Sequence, residues 1–217
     1  MNLTLDAEEI RILGSLLEKE ITTPEYYPLS LNGLLNACNQ KSNRDPVLHL
    51  DEETLERALY TLRDKGLLVS ITGAGSRVPK YGHRISEKFN LGRRELAVLC
   101  ELMLRGPQTL GELRTRAERM HPFADLAEVE SVLDRMSELV TKLPRRSGEK
   151  EARYAHLLSG ELLVSADPPA SAADLSGPAA QPTQTARIGA LEAETAQLRR
   201  ELEDLKQQFA GFQKQFE

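Results

Sequence analysis

The chain has 217 residues, a hydrophobic content of 40% and a formal net charge of −5 from 28 basic and 33 acidic side chains. That length accommodates one large or two small domains, and its balance of charge excludes a protein that coats nucleic acid by its bulk field. No apolar run approaches the roughly 20 residues that span a bilayer, and the acidic opening "MNLTLDAEEI" differs from the basic, then apolar, start of a signal peptide, so a cytoplasmic protein with no membrane partner is expected.

In chain order, Asp6 and Glu9 have the spacing of a capping box and open a helix with Ile10, Leu13 and Leu17 inward. Ser30 caps a second helix marked by Leu31, Leu34, Leu35 and Cys38. Asp51 caps a third, with Leu55, Ala58, Leu59 and Leu62 inward and Gly66 at its end. The extended segments "LLVSI" and "SRVPKYGHRI", joined by "TGAGS", read as a hairpin. Three helices followed by a two-stranded wing is the winged-helix plan.

The same order then repeats. Leu96, Leu99, Cys100 and Met103 mark a first helix that starts near Arg93. Thr109 and Glu112 cap the next, with Leu110, Leu113 and Ala117 inside, and Asp125 and Glu128 cap a third carrying Val129, Val132, Leu133 and Met136. "LVTKLP" and "ARYAHLL" flank "RRSGEKE" as a second hairpin with a basic tip. The first helices align at an offset of 86 residues (Ile10 to Leu96), the second at 79 (Leu31 to Leu110) and the third at 74 (Leu55 to Val129). Module one is therefore longer on both sides of its second helix, in "ITTPEYYP" and in "NQKSNRDP". A helix-turn-helix that reads DNA joins those helices by about 3 to 4 residues, so the amide-rich turn is an elaboration of the scaffold.

From Ala166 to Ala186 the chain is rich in Pro and Ala and lacks aromatic residues, Lys and Arg, the composition of a disordered tether. Beyond it Ile188, Leu191, Thr195, Leu198, Leu202, Leu205, Phe209, Phe212 and Phe216 keep the alternating three-and-four spacing of a coiled-coil seam. The fold class expected is mainly α with small β wings (α+β). Winged-helix modules occupy residues 1–90 and 91–160, a linker 161–187, and a C-terminal coiled-coil helix 188–217 that pairs the chain as a homodimer. The segment 161–217 holds nine acidic and five basic residues, which leaves a net −1 for the first 160. Any DNA contact must then come from a local patch.

The strings "GSLLEKEITTPEYYPLSLNGLLNACNQKSNRDP", "ELAVLCELMLRGPQTLGELRTRAERMHPFADLAEVE" and "EKEARYAHLL" closely resemble the YceH-like family of uncharacterised bacterial proteins, over roughly residues 5 to 158. The resemblance implies a tandem winged-helix fold in a cytoplasmic bacterial protein. It carries over no reaction, ligand or catalytic residue.

The residues themselves point away from catalysis. His49, His83, His121 and His156 have no ligand spacing, "TGAGS" lacks the Lys and following helix of a phosphate loop, and the carboxylates cluster at helix starts, where they cap amides. Cys38 and Cys100 read as buried thiols of a reducing compartment. No catalytic residue, metal site or cofactor is expected. Candidate contacts to nucleic acid or a protein partner are Asn39, Gln40, Lys41, Asn43 and Arg44 in the amide turn, and Arg77, Lys80 and Arg84 on the first wing. The second module adds Arg114, Arg116 and Arg119 around its second helix and Arg145, Arg146 and Lys150 on its wing. Against DNA stand the acidic third helices, Asp51, Glu52, Glu53, Glu56 and Asp64 in one module and Asp125, Glu128, Glu130, Asp134 and Glu138 in the other. Two readings stay open: DNA association through basic wings, or a protein–protein adaptor using the acidic helices and the coil.

Overall fold

A computed structural model describes residues 3–72, 78–145 and 150–160. The expected linker and coiled coil, and with them Arg77 and Arg146, lie outside the described residues. Asp6 starts α1 (Ala7–Thr22) as its spacing predicts: its carboxylate accepts the Glu9 N–H at 2.8 Å, and the Glu9 carboxylate accepts the Asp6 N–H at 2.9 Å. Pro24–Tyr26 form one 3₁₀ turn, and Leu29–Ser30 a short strand, β1. Ser30 then caps α2 (Leu31–Cys38) through the Gly33 N–H, and Asp51 caps α3 (Glu52–Asp64) through the Thr54 N–H. Gly66, at φ +68°, lets the chain turn into β2 (Leu68–Ile71).

β2 pairs antiparallel with β3 (Lys80–His83), Leu68 opposite His83 and Ile71 opposite Lys80, so the expected hairpin is present. Two features depart from expectation. β1 adds to the free edge of β3, giving a three-stranded sheet in the order β1-β3-β2. The second extended segment also stops at His83 and does not reach Ile85. The Ile85 N–H donates to His83 Nδ1 at 3.2 Å, and the chain coils into α4 (Ile85–Phe89), which buries Ile85 and ends at Asn90 in the left-handed region.

The second half repeats this order with α5 (Arg93–Arg105), α6 (Leu110–Ala117), α7 (Leu126–Arg135), and the antiparallel pair β4 (Val140–Lys142) and β5 (Tyr154–His156). Thr109 and Glu112 complete the predicted capping box. Asp125 accepts the Glu128 N–H, while the Glu128 carboxylate takes the Ala124 N–H. Gln108 and Tyr154 exchange both backbone hydrogen bonds, at 3.0 and 2.7 Å. The residue that precedes the second helix thus meets the last strand in both halves.

The two first helices form the centre. Each was expected to bury one stripe, yet α1 buries every residue from Glu9 to Glu18 and α5 every residue from Leu96 to Leu104. α1 and α5 pack on each other, α2 and α3 cover the other side of α1, and α6 and α7 cover α5. A helix enclosed on all sides has no solvent face for polar residues, so Glu9, Arg11, Ser15, Glu18 and Glu101 are carried inside. Buried polar groups need partners. Glu9 receives Lys65 Nζ at 2.7 Å and the Thr61 hydroxyl at 2.6 Å, and although burial raises its carboxyl pKa these donors bring it below the ordinary value. Arg11 donates to the carbonyls of Cys38 and Pro46 at 3.3 and 2.5 Å. Cys38 and Cys100 are free, buried thiols; burial pushes Cys38 up to about 11 and Cys100 well above the usual range.

His156 on β5 gives the fold a pH dependence. Its Nδ1 is buried without a hydrogen-bond partner, and burial lowers its pKa to about 4. An unfolded chain protonates the same imidazole near 6.5, so between those values the unfolded state binds the extra proton and stability falls as the pH falls. The expected loss from pH 7 to 4.5 is on the order of 2 kcal/mol. Urea unfolding across that range should show it, and His156→Leu should flatten the profile; an unchanged profile in the variant would locate the acid sensitivity elsewhere.

Candidate interaction site

The amide turn is the first place to look, and the structure turns most of it inward. Asn39 clasps Leu50, its side-chain amide donating to the Leu50 carbonyl and its carbonyl accepting the Leu50 N–H, both at 2.8 Å. Asn43 adopts the left-handed conformation that Asn tolerates (φ +58°) and accepts a hydrogen bond from Arg105 of α5. The Asp45 N–H donates to the Leu104 carbonyl at 2.9 Å, which fastens the turn to the end of α5.

Arg44 corrects the sequence reading most clearly. Expected as a surface contact, its side chain is 0% exposed. It donates to Glu18 Oε2 at 2.6 Å, to the Ala37 carbonyl at 2.8 Å, to the Asn43 carbonyl and to the Gln40 side chain. The reason is the enclosed α1: Glu18, itself 1% exposed, needs a cation, and the extra length of the turn delivers one. Arg119 reaches Glu18 Oε1 at 2.6 Å and Glu101 at 3.1 Å, and Arg105 lies 3.2 Å from Glu101. Glu18, Arg44, Arg119, Glu101 and Arg105 therefore form one ionic network joining α1, the turn, α5 and the chain beyond α6. Burial raises the Glu18 pKa, but Arg44 and Arg119 outweigh it and hold the carboxyl below its ordinary value; at Glu101 burial prevails and the value is raised.

Other candidates are also engaged within the fold. Arg114 donates to the carbonyls of Phe123 and Ala124, fixing the entry to α7. Arg116 donates to the buried Gln108 side chain at 2.7 Å and lies 3.6 Å from Glu112. Arg84 pairs with Glu87 at 2.9 Å on the surface. Among the described candidates, Lys41, Lys80, Arg145 and Lys150 remain exposed and outside any ion pair.

The third helices keep their predicted acidity at the surface. Glu52, Glu53, Glu56 and Asp64 on α3 are exposed, as are Glu130 and Asp134 on α7, with Glu138 just after it. The cations beside them are partly engaged: Lys65 by Glu9, Arg135 by Glu95 at 3.0 Å, and Arg63 over the Tyr60 ring at 5.5 Å.

Sequence reasoning missed a groove under the second hairpin. It has a volume of about 810 Å³ and runs between the first residues of α6 and α7 and the strand β4. Leu110, Leu126, Leu143 and Pro144 supply apolar walls over the buried Tyr154 ring. Lys142, Arg145 and Lys150 stand at its edge with Glu151. No sequence signal marked it, because Leu126, directly after the cap Asp125, lies three residues before Val129 and seven before Leu133 and so reads as the first position of the inward stripe; it is nonetheless 45% exposed. Among the described residues no group of three metal-ligating side chains occurs, and no helix is long and apolar enough to cross a membrane.

These observations define a mainly helical α+β protein, built from two halves of like element order that a buried ionic network joins. Residues 5–149 match the family described as "Protein of unknown function, DUF480", and the chain belongs to that family. It is 56% identical over 214 residues to a "UPF0502 protein" of Solibacter usitatus, covering 96% of this chain and all of that one. Identity is 54% over 222 residues to a UPF0502 protein of Pelobacter propionicus, with both chains fully covered, and 63% over 165 residues to one of Citrifermentans bemidjiense, covering 74% and 76%.

Proposed function

We propose that this protein is a non-enzymatic adaptor: two tandem winged-helix modules, residues 1–90 and 91–160, fused into one body that presents protein-docking surfaces. The observation that carries the reading is the charge of the third helices. α3 and α7 expose Glu52, Glu53, Glu56, Asp64, Glu130 and Asp134 where a DNA-reading module needs Arg, Lys, Asn or Gln. Fold alone does not assign function, and acidic side chains on those helices would repel phosphate. Self-association through 188–217, outside the described residues, belongs to the same proposal and would give a paired adaptor avidity for a repeated target.

One observation favours a second reading, association with DNA: Lys80, Arg145 and Lys150 are exposed and free of carboxylate partners among the described residues. The test separates the two. A photo-reactive residue placed at Tyr60 or Glu130, on the outer faces of α3 and α7, should give discrete crosslinks in growing bacteria that resist nuclease and are lost to protease. Mobility shifts on duplex DNA at low salt should be absent. Nuclease-sensitive crosslinks, or a low-salt shift abolished by Lys80→Ala, Arg145→Ala and Lys150→Ala together, would overturn the adaptor reading in favour of DNA.

A further inference from the structure

We infer that the groove beneath the second hairpin docks an acidic amphipathic helix of a partner protein, with apolar side chains set on Leu110, Leu126 and Leu143 and carboxylates against Lys142, Arg145 and Lys150. The inference rests on the adaptor reading and gives it a place on the molecule.

The apolar walls come first. Leu126 is 45% exposed at the start of α7, a position where solvent normally meets a polar residue, and it faces the same space as the half-buried Leu110 and Leu143. Aliphatic walls of this kind are covered by the i, i+3, i+4, i+7 face of a helix. The charge at the edge then selects the partner's polar face: among the described residues that line the groove, Lys142, Arg145 and Lys150 stand with one carboxylate, that of Glu151. Lys142 is already positioned, its ammonium 5.5 Å from the centroid of the Tyr154 ring, which lowers the ordering cost of pairing with an incoming carboxylate. α6 and α7 both begin at this groove, so the positive ends of their dipoles favour the same sign of ligand.

A nucleic acid fits less well. It has no aliphatic face for Leu110, Leu126 and Leu143, and a polyanion extending along α7 would meet Glu130 and Asp134. A groove of the first half, between the later turns of α3 and the first hairpin beside Tyr60 and Tyr81, has a volume of about 260 Å³ and is lined by both Glu56 and Arg63. That groove has less room, and its one cation is matched by one carboxylate.

The probe is a fluorescein-labelled amphipathic peptide with Leu at the i, i+3, i+4, i+7 positions and Glu elsewhere, titrated with the full chain by anisotropy. Saturable binding is expected. Replacing Glu by Lys in the peptide should weaken it at least about tenfold, as should Leu126→Asp or the combined Lys142→Glu, Arg145→Glu and Lys150→Glu in the protein. The charge-reversed protein should now prefer the Lys peptide. All four positions are exposed, and urea midpoints check that the variants fold. In the unaltered protein, amide shifts confined to residues 110, 126, 142, 143, 145 and 150–152 give an independent reading. Equal binding of the Glu and Lys peptides, an affinity unmoved by charge reversal, or tighter competing binding of oligothymidylate would overturn the inference. Failure here with protein crosslinks retained at Tyr60 removes the groove alone; nuclease-sensitive crosslinks remove the adaptor reading itself.

Discussion

Glu18→Ala is expected to lower the unfolding free energy by about 3–5 kcal/mol, the cost of breaking a buried ion pair from one side. Glu18 is 1% exposed and the Arg44 side chain 0%. After the substitution Arg44 keeps its bonds to the carbonyls of Ala37 and Asn43, but the guanidinium has lost the carboxylate that neutralises it. Arg119 loses one of its two acidic partners and retains Glu101. Urea unfolding should show a lower midpoint at an unchanged slope. The comparison is Arg84→Ala, whose pairing with Glu87 is exposed on both sides and whose loss should cost less than about 0.5 kcal/mol. A Glu18→Ala midpoint equal to that of the parent would show that the network does not hold the halves together. The pH dependence follows from the lowered Glu18 pKa: the carboxylate's contribution is complete above the ordinary Glu value and is lost as the pH falls through the depressed one. That window opens at the acid end of the range in which His156 acts and extends below it.

Gly14→Ala should destabilise the protein by about 1–2 kcal/mol, and Gly14→Val by about 3 kcal/mol or more, through overpacking of a close helix crossing. In an isolated helix the first change would stabilise by roughly 0.5–1 kcal/mol, because Gly has more backbone freedom to lose. Here the sign reverses for a steric reason. A Cβ on Gly14 would lie 2.9 Å from Leu104 Cδ2, 3.0 Å from its Cγ and 3.2 Å from Met103 Cβ. Leu104 is fully buried, and the Cys100 thiol donates to the Gly14 carbonyl at 3.4 Å, so neither helix is free to withdraw. Gly111 in α6 is the control: its nearest neighbour would be Thr109 Oγ1 at 4.0 Å, and Gly111→Ala should be neutral or stabilising by up to about 0.5 kcal/mol. Thermal unfolding of the three variants checks the order, and a stabilised Gly14→Ala would mean that α1 and α5 can part at little cost.

Local chemistry was the most legible part of this chain. Asp6, Ser30, Asp51, Thr109 and Asp125 each cap the helix that their spacing announced, because a capping hydrogen bond closes within three residues and needs nothing distant. The hairpins were legible for a similar reason, since alternation and turn residues lie in one short window. β1 was not, because two residues become a strand only when an edge is offered to them. α4 was missed because Ile85 reads equally well as the end of an extended run. The basic residues were the least legible: Arg44, Arg114, Arg116 and Arg119 look like surface cations in one dimension, and their carboxylate and carbonyl partners are brought in by the fold.

By itself, then, the sequence determined α1–α3 and α5–α7, the caps of five of them, the two hairpin pairings and the repetition of one arrangement, all of which follow from short-range spacing. Only the tertiary structure decided that α1 and α5 meet at Gly14 and are enclosed on every side. That enclosure leaves Glu18 and Glu101 without solvent, and an unpaired buried charge is too costly to keep. Arg44 and Arg119 are drawn inward for that reason, so the amide turn that looked like a recognition loop became part of the joint, while Lys142, Arg145 and Lys150 stayed exposed beside Leu126.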